Sequence, residues 1–218
     1  MTGIESRTLI LIGVWLLYFL IHSALASLAV KNRFANRWPA LMPAYRLGFN
    51  FLALVLLIPP LYLIYTADGA YLWRWSGYGW WLANGLGLLA IFGFAWSARY
   101  YDSGEFLGLR QWRQRERRVE DQERFHISPF HRYVRHPWYG LGLVLIWTRD
   151  MNQAFLATAL LATLYFIYGS RLEERKLIAY HGEVYRRYMA RVPGLLPLPW
   201  RYLSRQEADR LVADSRKG

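Results

Sequence analysis

The stretch Ser128–Gly142, SPFHRYVRHPWYGLG, joins a basic loop to a short apolar segment. It contains two histidines, two arginines and a Gly-x-Gly, and the adjacent acids Glu173 and Glu174 follow further along the chain. Ionisable side chains at the edge of a membrane are costly, so their presence there indicates a functional site. We therefore expect both the fold and the chemistry of the chain to centre on this stretch.

The composition points to a bilayer, because 55% of residues are hydrophobic and the 19% that are charged fall into a few blocks. Apolar runs at Thr8–Val30, Tyr45–Thr66 and Gly79–Tyr101 each approach the ~20 residues that a helix needs to cross a bilayer. The first run could be a signal peptide, but it lacks a strongly basic leading region and a small-residue cleavage site. The pattern therefore predicts three spanning helices.

The later apolar segments have a different pattern. Pro137–Trp147 would cover only about 16 Å as a helix and is too short to cross alone. Polar Thr148–Asn152 follows, and Gln153–Gly169 then runs back as a longer apolar helix, so the pair predicts a helical hairpin. After it, Ser204 and Glu207 have the spacing of a capping box at the start of another helix.

These segments predict an all-α integral membrane protein with about five transmembrane helices, including the C-terminal hairpin. We expect one membrane domain over residues 1–218. Its parts are three N-terminal helices (1–101), a basic cytosolic loop (102–136), a cofactor-binding hairpin with a C-terminal segment (137–203) and a polar tail (204–218). Within the loop, Leu109–Phe125 has no apolar stripe and is typical of a solvated loop or a frayed helix.

The distribution of positive charge predicts the orientation. Of the 27 Lys and Arg residues, 24 lie in three blocks that the predicted topology places on one face. The positive-inside bias makes that face cytoplasmic, with the N-terminus outside, the C-terminus inside and a bacterial inner membrane as the location. A net charge of +12 would suggest nucleic acid in a soluble protein. Here topology and anionic membrane lipids explain the charge, so we expect lipid partners and no nucleic acid.

The chain has no cysteine, which excludes disulfide, zinc-thiolate and thiol-nucleophile chemistry. No metal site is predicted, and the pattern leaves the oligomeric state open.

The residues around the hairpin start suggest two opposite poles. Pro137 suits the first turn of a helix, so the helix N-terminus and Arg135 would together favour a carboxylate or a phosphate. Glu173 and Glu174 would receive a cation, such as an ammonium group, or a ribose hydroxyl. The combination suits a zwitterionic amino acid headgroup.

Each of these features has a simpler structural interpretation. The Arg-His pair could be a lipid headgroup anchor, and the acid pair could be an exposed helix end with local ion pairs. Gly140 and Gly142 could serve helix packing instead of ligand approach. The order and spacing of the features together favour a binding site.

The motifs RHPWYGLG at Arg135–Gly142 and RLEERKLIAYHGEVYRRYMARVPGLLP at Arg171–Pro197 support this choice. This order of motifs is similar to the C-terminal half of isoprenylcysteine carboxyl methyltransferases and of related phospholipid and methanethiol methyltransferases of membranes. The match covers about Ser128–Pro199, and SGEFLGLRQ at Ser103–Gln111 resembles the methanethiol branch. One departure is Pro129, which stands where the family often has glycine.

The resemblance implies S-adenosylmethionine as the cofactor, held on the cytosolic side beneath the hairpin. The cofactor-binding residues that it implies lie on two walls, with His131 nearby: Arg135, His136, Tyr139, Gly140 and Gly142 on one, and Glu173, Glu174, His181 and Tyr185 on the other. Arg135 and Arg171 match arginines that orient the acceptor in the prenylcysteine enzymes, so both are predicted catalytic residues.

The acceptor would be a small or lipophilic thiol, a carboxylate or a lipid amine. A thiol must lose its proton, for which His181, Glu105 and His131 are candidates. Two other functions are compatible with parts of the sequence: a membrane reductase of the sterol or steroid type that uses NADPH, and a non-enzymatic carrier or assembly factor. The HGEVYRRY and RVPGLLP motifs favour the methyltransferase.

Overall fold

The computed structural model describes residues 3–117 and 125–215. Within these residues, four helices are long and apolar enough to cross a membrane: α1 (Gly3–Ala26), α3 (Tyr45–Tyr65), α4 (Gly77–Ser97) and α8 (Gln153–Arg191). Large apolar side chains on them are exposed, as Leu20 and Phe51 show at 69% each. Apolar surface on this scale suits lipid and not water. The protein is an all-α integral membrane protein, which confirms the predicted fold class.

The helix bounds agree with the apolar runs to within a few residues. Among the first three spanning helices, one difference lies at the end of α1, which stops at Ala26 because Ser27 starts a separate helix, α2 (Leu28–Arg37). The Ser27 side chain accepts a hydrogen bond from the Val30 N–H at 3.3 Å, which caps α2. The short apolar helix α7 has the predicted bounds, Pro137–Trp147, and the count of five crossings stays a prediction.

The described residues fall into two compact units. The first contains the described residues of 3–74, 101–117 and 150–161. Its core joins α1, α3 and the start of α8 through Leu11, Trp15, Ile64 and Ala154. The Trp15 indole N–H donates to the Thr158 hydroxyl at 3.0 Å, which satisfies a polar group inside this core. Strand β1 (Tyr71–Trp73) pairs antiparallel with the short strand β2 (Met151–Asn152) in the same unit.

The SGEFLGLRQ motif folds as two short helices, α5 (Ser103–Leu107) and α6 (Leu109–Gln114). Gly108 joins them with a φ of 87°, a conformation that favours glycine. The Asn50 side chain on α3 donates to the carbonyls of Phe106 and Leu107 at 3.0 and 3.1 Å. The segment predicted to be a loop or a frayed helix therefore starts as an ordered helix, and its residues 118–124 lie outside the described residues.

The second unit contains 75–100, 123–149 and 162–218, and it carries most of the predicted site. In it, α7 packs along α4, where a Cβ on Gly93 would lie 3.0 Å from the Leu141 side chain. The Trp138 indole N–H donates to Ser97 on α4 at 2.7 Å. The Trp147 indole N–H donates to Thr163 on α8 at 3.0 Å, so α7 and α8 form the predicted hairpin.

Helix α8 continues well past the predicted end at Gly169 and reaches Arg191. It is interrupted at Gly182, whose φ of 52° and ψ of −129° are not helical. Helix α9 (Arg205–Asp214) starts with the predicted capping box of Ser204 and Glu207. Apolar side chains of α9 join the end of α8 in one core, whose buried residues are Tyr185, Tyr188, Val192, Leu203, Ala208 and Leu211.

Candidate active site

Arg135 lies just before α7. It contacts the middle and the end of α8 and the residues that directly follow α8. Its Nε and Nη2 each lie 2.7 Å from Oε1 of Glu174, and both side chains are nearly buried, at 12% and 10% exposure. Its Nη1 donates to the carbonyls of Met189 and Val192. The backbone N–H of Arg135 donates to the Pro193 carbonyl at 2.9 Å. The guanidinium is therefore held by the protein itself.

His136 lies between the two acids. Its Nε2 is 3.0 Å from Glu174 Oε1 and its Nδ1 is 3.4 Å from Glu173 Oε2. Burial alone would lower the pKa of His136, but hydrogen bonds to both carboxylates and their charges outweigh it, so the pKa is raised. An imidazole donates from both nitrogens only when it is protonated. The raised pKa and the two acid contacts thus favour the imidazolium form of His136, which can donate to both Glu173 and Glu174.

Tyr139 lies on the first turn of α7 and completes the contacts of Glu173. Its hydroxyl donates to Glu173 Oε2 at 3.1 Å. Its ring is nearly parallel to the His136 ring, with centroids 5.3 Å apart, and to the Phe166 ring on α8, with centroids 5.0 Å apart. The Glu173 side chain remains 43% exposed, whereas that of Glu174 is 10% exposed. Of the two acids, only Glu173 presents its carboxylate outward.

Gly140 and Gly142 lie on the two sides of α7. A Cβ on Gly140 would clash with the carbonyl oxygen of Leu195, and one on Gly142 would lie 3.2 Å from the Phe166 ring. These contacts correspond to the packing interpretation of the two glycines. A direct contact of either glycine with a cofactor stays a prediction.

His131 precedes this cluster in the chain. Its Nδ1 lies 2.7 Å from the Ser128 hydroxyl, and its carbonyl accepts the Tyr188 hydroxyl at 2.6 Å. Burial, followed by the charges of His126 and His136, lowers the pKa of His131 to about 4. His131 is therefore neutral at physiological pH and binds a proton only weakly.

Three other predicted residues lie apart from the cluster. His181 and Tyr185 pack around Phe125, with the His181 and Phe125 rings 5.3 Å apart and Tyr185 only 3% exposed. His181 is about 10 Å along α8 from Glu174. Arg171 is exposed and its guanidinium lies 6.0 Å from the Tyr168 ring. The cofactor and acceptor roles of these three residues stay predictions.

Sequence reasoning missed Phe166, which completes the ring stack. Phe166 and Glu173 are seven residues apart, which places them on one face of a helix two turns apart. That spacing could have identified Phe166 from the sequence. The backbone carbonyls that accept hydrogen bonds from Arg135, those of Met189 and Val192, could not be identified from the sequence. Among residues 3–117 and 125–215, no group of three acidic or histidine side chains is placed to hold a metal ion.

The relatives found by comparison with known proteins are named methanethiol S-methyltransferases. The chain is 32% identical over 214 residues to a methanethiol S-methyltransferase of Crocosphaera subtropica, covering 89% of this chain and 76% of the relative. It is 29% identical over 211 residues to methanethiol S-methyltransferase 2 of Bradyrhizobium diazoefficiens, covering 95% and 79%. It is 33% identical over 130 residues to a methanethiol S-methyltransferase of Mycobacterium tuberculosis, covering 55% and 52%. Neither a family model nor a solved structure matches the chain.

The four apolar helices, the hairpin site and these relatives define an integral membrane methyltransferase. The chain belongs to the isoprenylcysteine carboxyl methyltransferase-like family of membrane enzymes, to which relatives named methanethiol S-methyltransferases belong. The predicted family and enzyme class are thus confirmed. The relatives favour the methyltransferase over the reductase and the carrier.

Proposed function

We propose that this enzyme transfers the methyl group of S-adenosylmethionine to a small thiol, such as methanethiol, at the cytosolic face of a bacterial inner membrane. The names of the relatives support the thiol acceptor. The observation that carries the proposal is the Glu173 carboxylate, which is half exposed and is fixed in place by His136 and Tyr139.

The hydrogen-bond donors of S-adenosylmethionine are groups that the Glu173 carboxylate can bind. Glu173 Oε2 receives both contacts from His136 and Tyr139, and Oε1 accepts no hydrogen bond from the described residues. The cofactor carries an ammonium and two ribose hydroxyls, which are the hydrogen-bond donors that a free carboxylate oxygen accepts. Glu173 would hold one of these donors. Arg135 and Glu174 would position Glu173 through His136 and would not contact the cofactor, because they are paired with each other.

When bound, S-adenosylmethionine would supply a methyl group on a positively charged sulfur, and the rest of the cofactor would leave as a neutral thioether. The protein contributes position and exclusion of water. In the reaction, the thiol S–H bond breaks, a new S–CH₃ bond forms as the old one breaks, and a proton is released. The raised pKa of His136 favours its protonated form, and the low pKa of His131 makes it a poor acceptor for this proton. The reacting species would be a thiolate formed in solution, whose fraction increases with pH below the pKa of the thiol.

The acceptor is tested with the purified protein in detergent and methyl-labelled S-adenosylmethionine. The acceptors offered are methanethiol, a longer alkanethiol, a prenylcysteine and an aminophospholipid. We expect labelled dimethyl sulfide in the headspace, at a rate that increases with pH. Transfer to the prenylcysteine or the lipid alone would overturn the thiol assignment. Methyl transfer to none of the acceptors, together with no binding of the labelled cofactor, would overturn the donor assignment.

The cytosolic location is tested separately, and the absence of native cysteine makes the test direct. Ala70 and Gln206 are both exposed, and the charge distribution places them on opposite faces. A membrane-impermeant maleimide should label Ala70→Cys in intact spheroplasts and Gln206→Cys only after the membrane is opened. Labelling of Gln206→Cys in intact spheroplasts would reverse the proposed orientation.

A further inference from the structure

The opposite end of α7 holds a second cation, Arg149, whose guanidinium lies against α4. A Cβ on Gly87 would come within 2.7 Å of Nη2, so glycine at this position makes room for the guanidinium. Nη1 donates to the Asn84 side-chain oxygen at 3.4 Å, and Nη2 donates to the Thr148 hydroxyl at 3.2 Å. Both acceptors are neutral.

These contacts leave the guanidinium incompletely satisfied. Arginine has five N–H donors, and the two bonds use one from each terminal nitrogen. The Nε of Arg149 is buried and finds no acceptor, and no carboxylate of the described residues pairs with Arg149. A cation at the end of an apolar span is costly when it has no counter-ion. Nη1 and Nη2 each keep a second N–H, to which an anion from outside these residues can bind.

The neighbours of Arg149 indicate its depth in the bilayer. The Asn84 side chain also donates to the carbonyl of Trp80, one turn closer to the start of α4. Trp80 and Trp81 are 45% and 72% exposed, and exposed tryptophans of spanning helices mark the headgroup boundary. A long arginine side chain reaches that boundary from one turn below it. The anion available at this depth is the phosphate of a phospholipid.

We propose that Arg149, supported by Asn84 and Thr148, binds the phosphodiester group of a membrane phospholipid. Arginine suits this ligand, because its planar fork can donate two parallel hydrogen bonds to phosphate oxygens. The site lies at the other end of α7 from Glu173, and it does not depend on which acceptor the enzyme methylates.

Native mass spectrometry of the purified, delipidated protein tests this site. Phosphatidylglycerol or diacylglycerol with the same acyl chains is added, and the bound fraction is compared between wild type and Arg149→Gln. We expect wild type to retain phosphatidylglycerol over diacylglycerol, and Arg149→Gln to bind phosphatidylglycerol about ten-fold more weakly, as for one lost charge-assisted contact. Equal retention of the two lipids by wild type, or of phosphatidylglycerol by both proteins, would overturn the proposal. Displacement of the lipid by millimolar inorganic phosphate would identify free phosphate as the ligand and overturn the lipid assignment.

The matched control is Arg74→Gln, because Arg74 is an exposed arginine that stacks on the Tyr71 ring at 3.8 Å and is not part of the proposed site. This variant should retain phosphatidylglycerol as wild type does. If Arg149→Gln is not recovered folded, Arg149→Lys keeps the charge but loses the planar fork. It should bind phosphatidylglycerol more weakly than wild type and diacylglycerol equally well; unchanged retention of phosphatidylglycerol would contradict the proposed site.

Discussion

The two ends of α7 each carry a cation, but the protein treats the two cations differently. At the N-terminal end, Arg135 and His136 are neutralised by Glu173 and Glu174. At the C-terminal end, Arg149 has only neutral acceptors. A cation whose donors are satisfied by its own chain serves to position other groups. A cation that lacks a counter-ion leaves donors for a ligand.

The largest loss of stability should come from breaking the ion pairs at the N-terminal end of α7. Arg135→Met removes one of the two cations that contact the nearly buried Glu174 carboxylate, and it also removes two bonds to backbone carbonyls. We therefore expect a loss of about 3–5 kcal/mol in the free energy of unfolding. Thermal unfolding in detergent measures it. The control is Arg187→Met, which removes an exposed ion pair with Asp214 and should cost less than about 1 kcal/mol. Equal losses in the two variants would show that the Arg135 pair is an ordinary surface contact.

The second effect depends on pH and concerns His136. Because its pKa is raised above 6.5, its ion pairs stabilise the fold fully below pH 6.5 and lose that contribution as pH rises through the raised value. The stability gap between wild type and His136→Gln should be widest at low pH, at about 1.5 kcal/mol or more, and should narrow as pH increases. Unfolding temperatures recorded across pH 5.5 to about 9 measure the gap. A gap that stays constant with pH would mean that His136 is neutral in the fold.

A smaller effect is expected from Tyr139→Phe. The variant keeps the ring stack with His136 and Phe166 but loses the hydrogen bond to Glu173. We expect cofactor affinity to fall by about five-fold, the equivalent of ~1 kcal/mol, with stability nearly unchanged. Tyr168→Phe, at an exposed position of α8, is the matched control. Unchanged cofactor affinity in Tyr139→Phe would show that the Tyr139 hydroxyl has no role in cofactor binding.

The sequence was sufficient for the parts of the fold that depend on local chemistry. Pro137 is favoured at the first turn of a helix, and α7 begins there. Ser204 and Glu207 have the spacing of a capping box, and α9 has one. The extension of α8 to Arg191 was missed because charged residues and Gly182 end the continuous apolar run, although Leu177, Tyr185 and Tyr188 recur at helical spacing. It depends on tertiary contacts, such as the bonds from Arg135 to the Met189 and Val192 carbonyls.

The sequence predicted which residues belong to the candidate site, but it did not predict which of them contact one another. Arg135 and the acid pair were expected on opposite poles, each open to a ligand, and the structure brings Arg135 and Glu174 into direct contact. The difference between Glu173 and Glu174 was also not predictable from their order. Neighbouring residues on a helix point about 100° apart, so burial of one beside Arg135 leaves the other exposed.

The central claim is that Glu173 binds the methyl donor, whereas Glu174 positions Arg135 and His136. Calorimetric titration of S-adenosylmethionine into Glu173→Gln and Glu174→Gln, each first shown to be folded at the temperature used, tests it most directly. We expect Glu173→Gln to lose about 1.5–3 kcal/mol of binding free energy at near wild-type stability. Glu174→Gln should lower the unfolding temperature and, while still folded, bind the cofactor more tightly than Glu173→Gln does. Wild-type affinity in Glu173→Gln would contradict the claim.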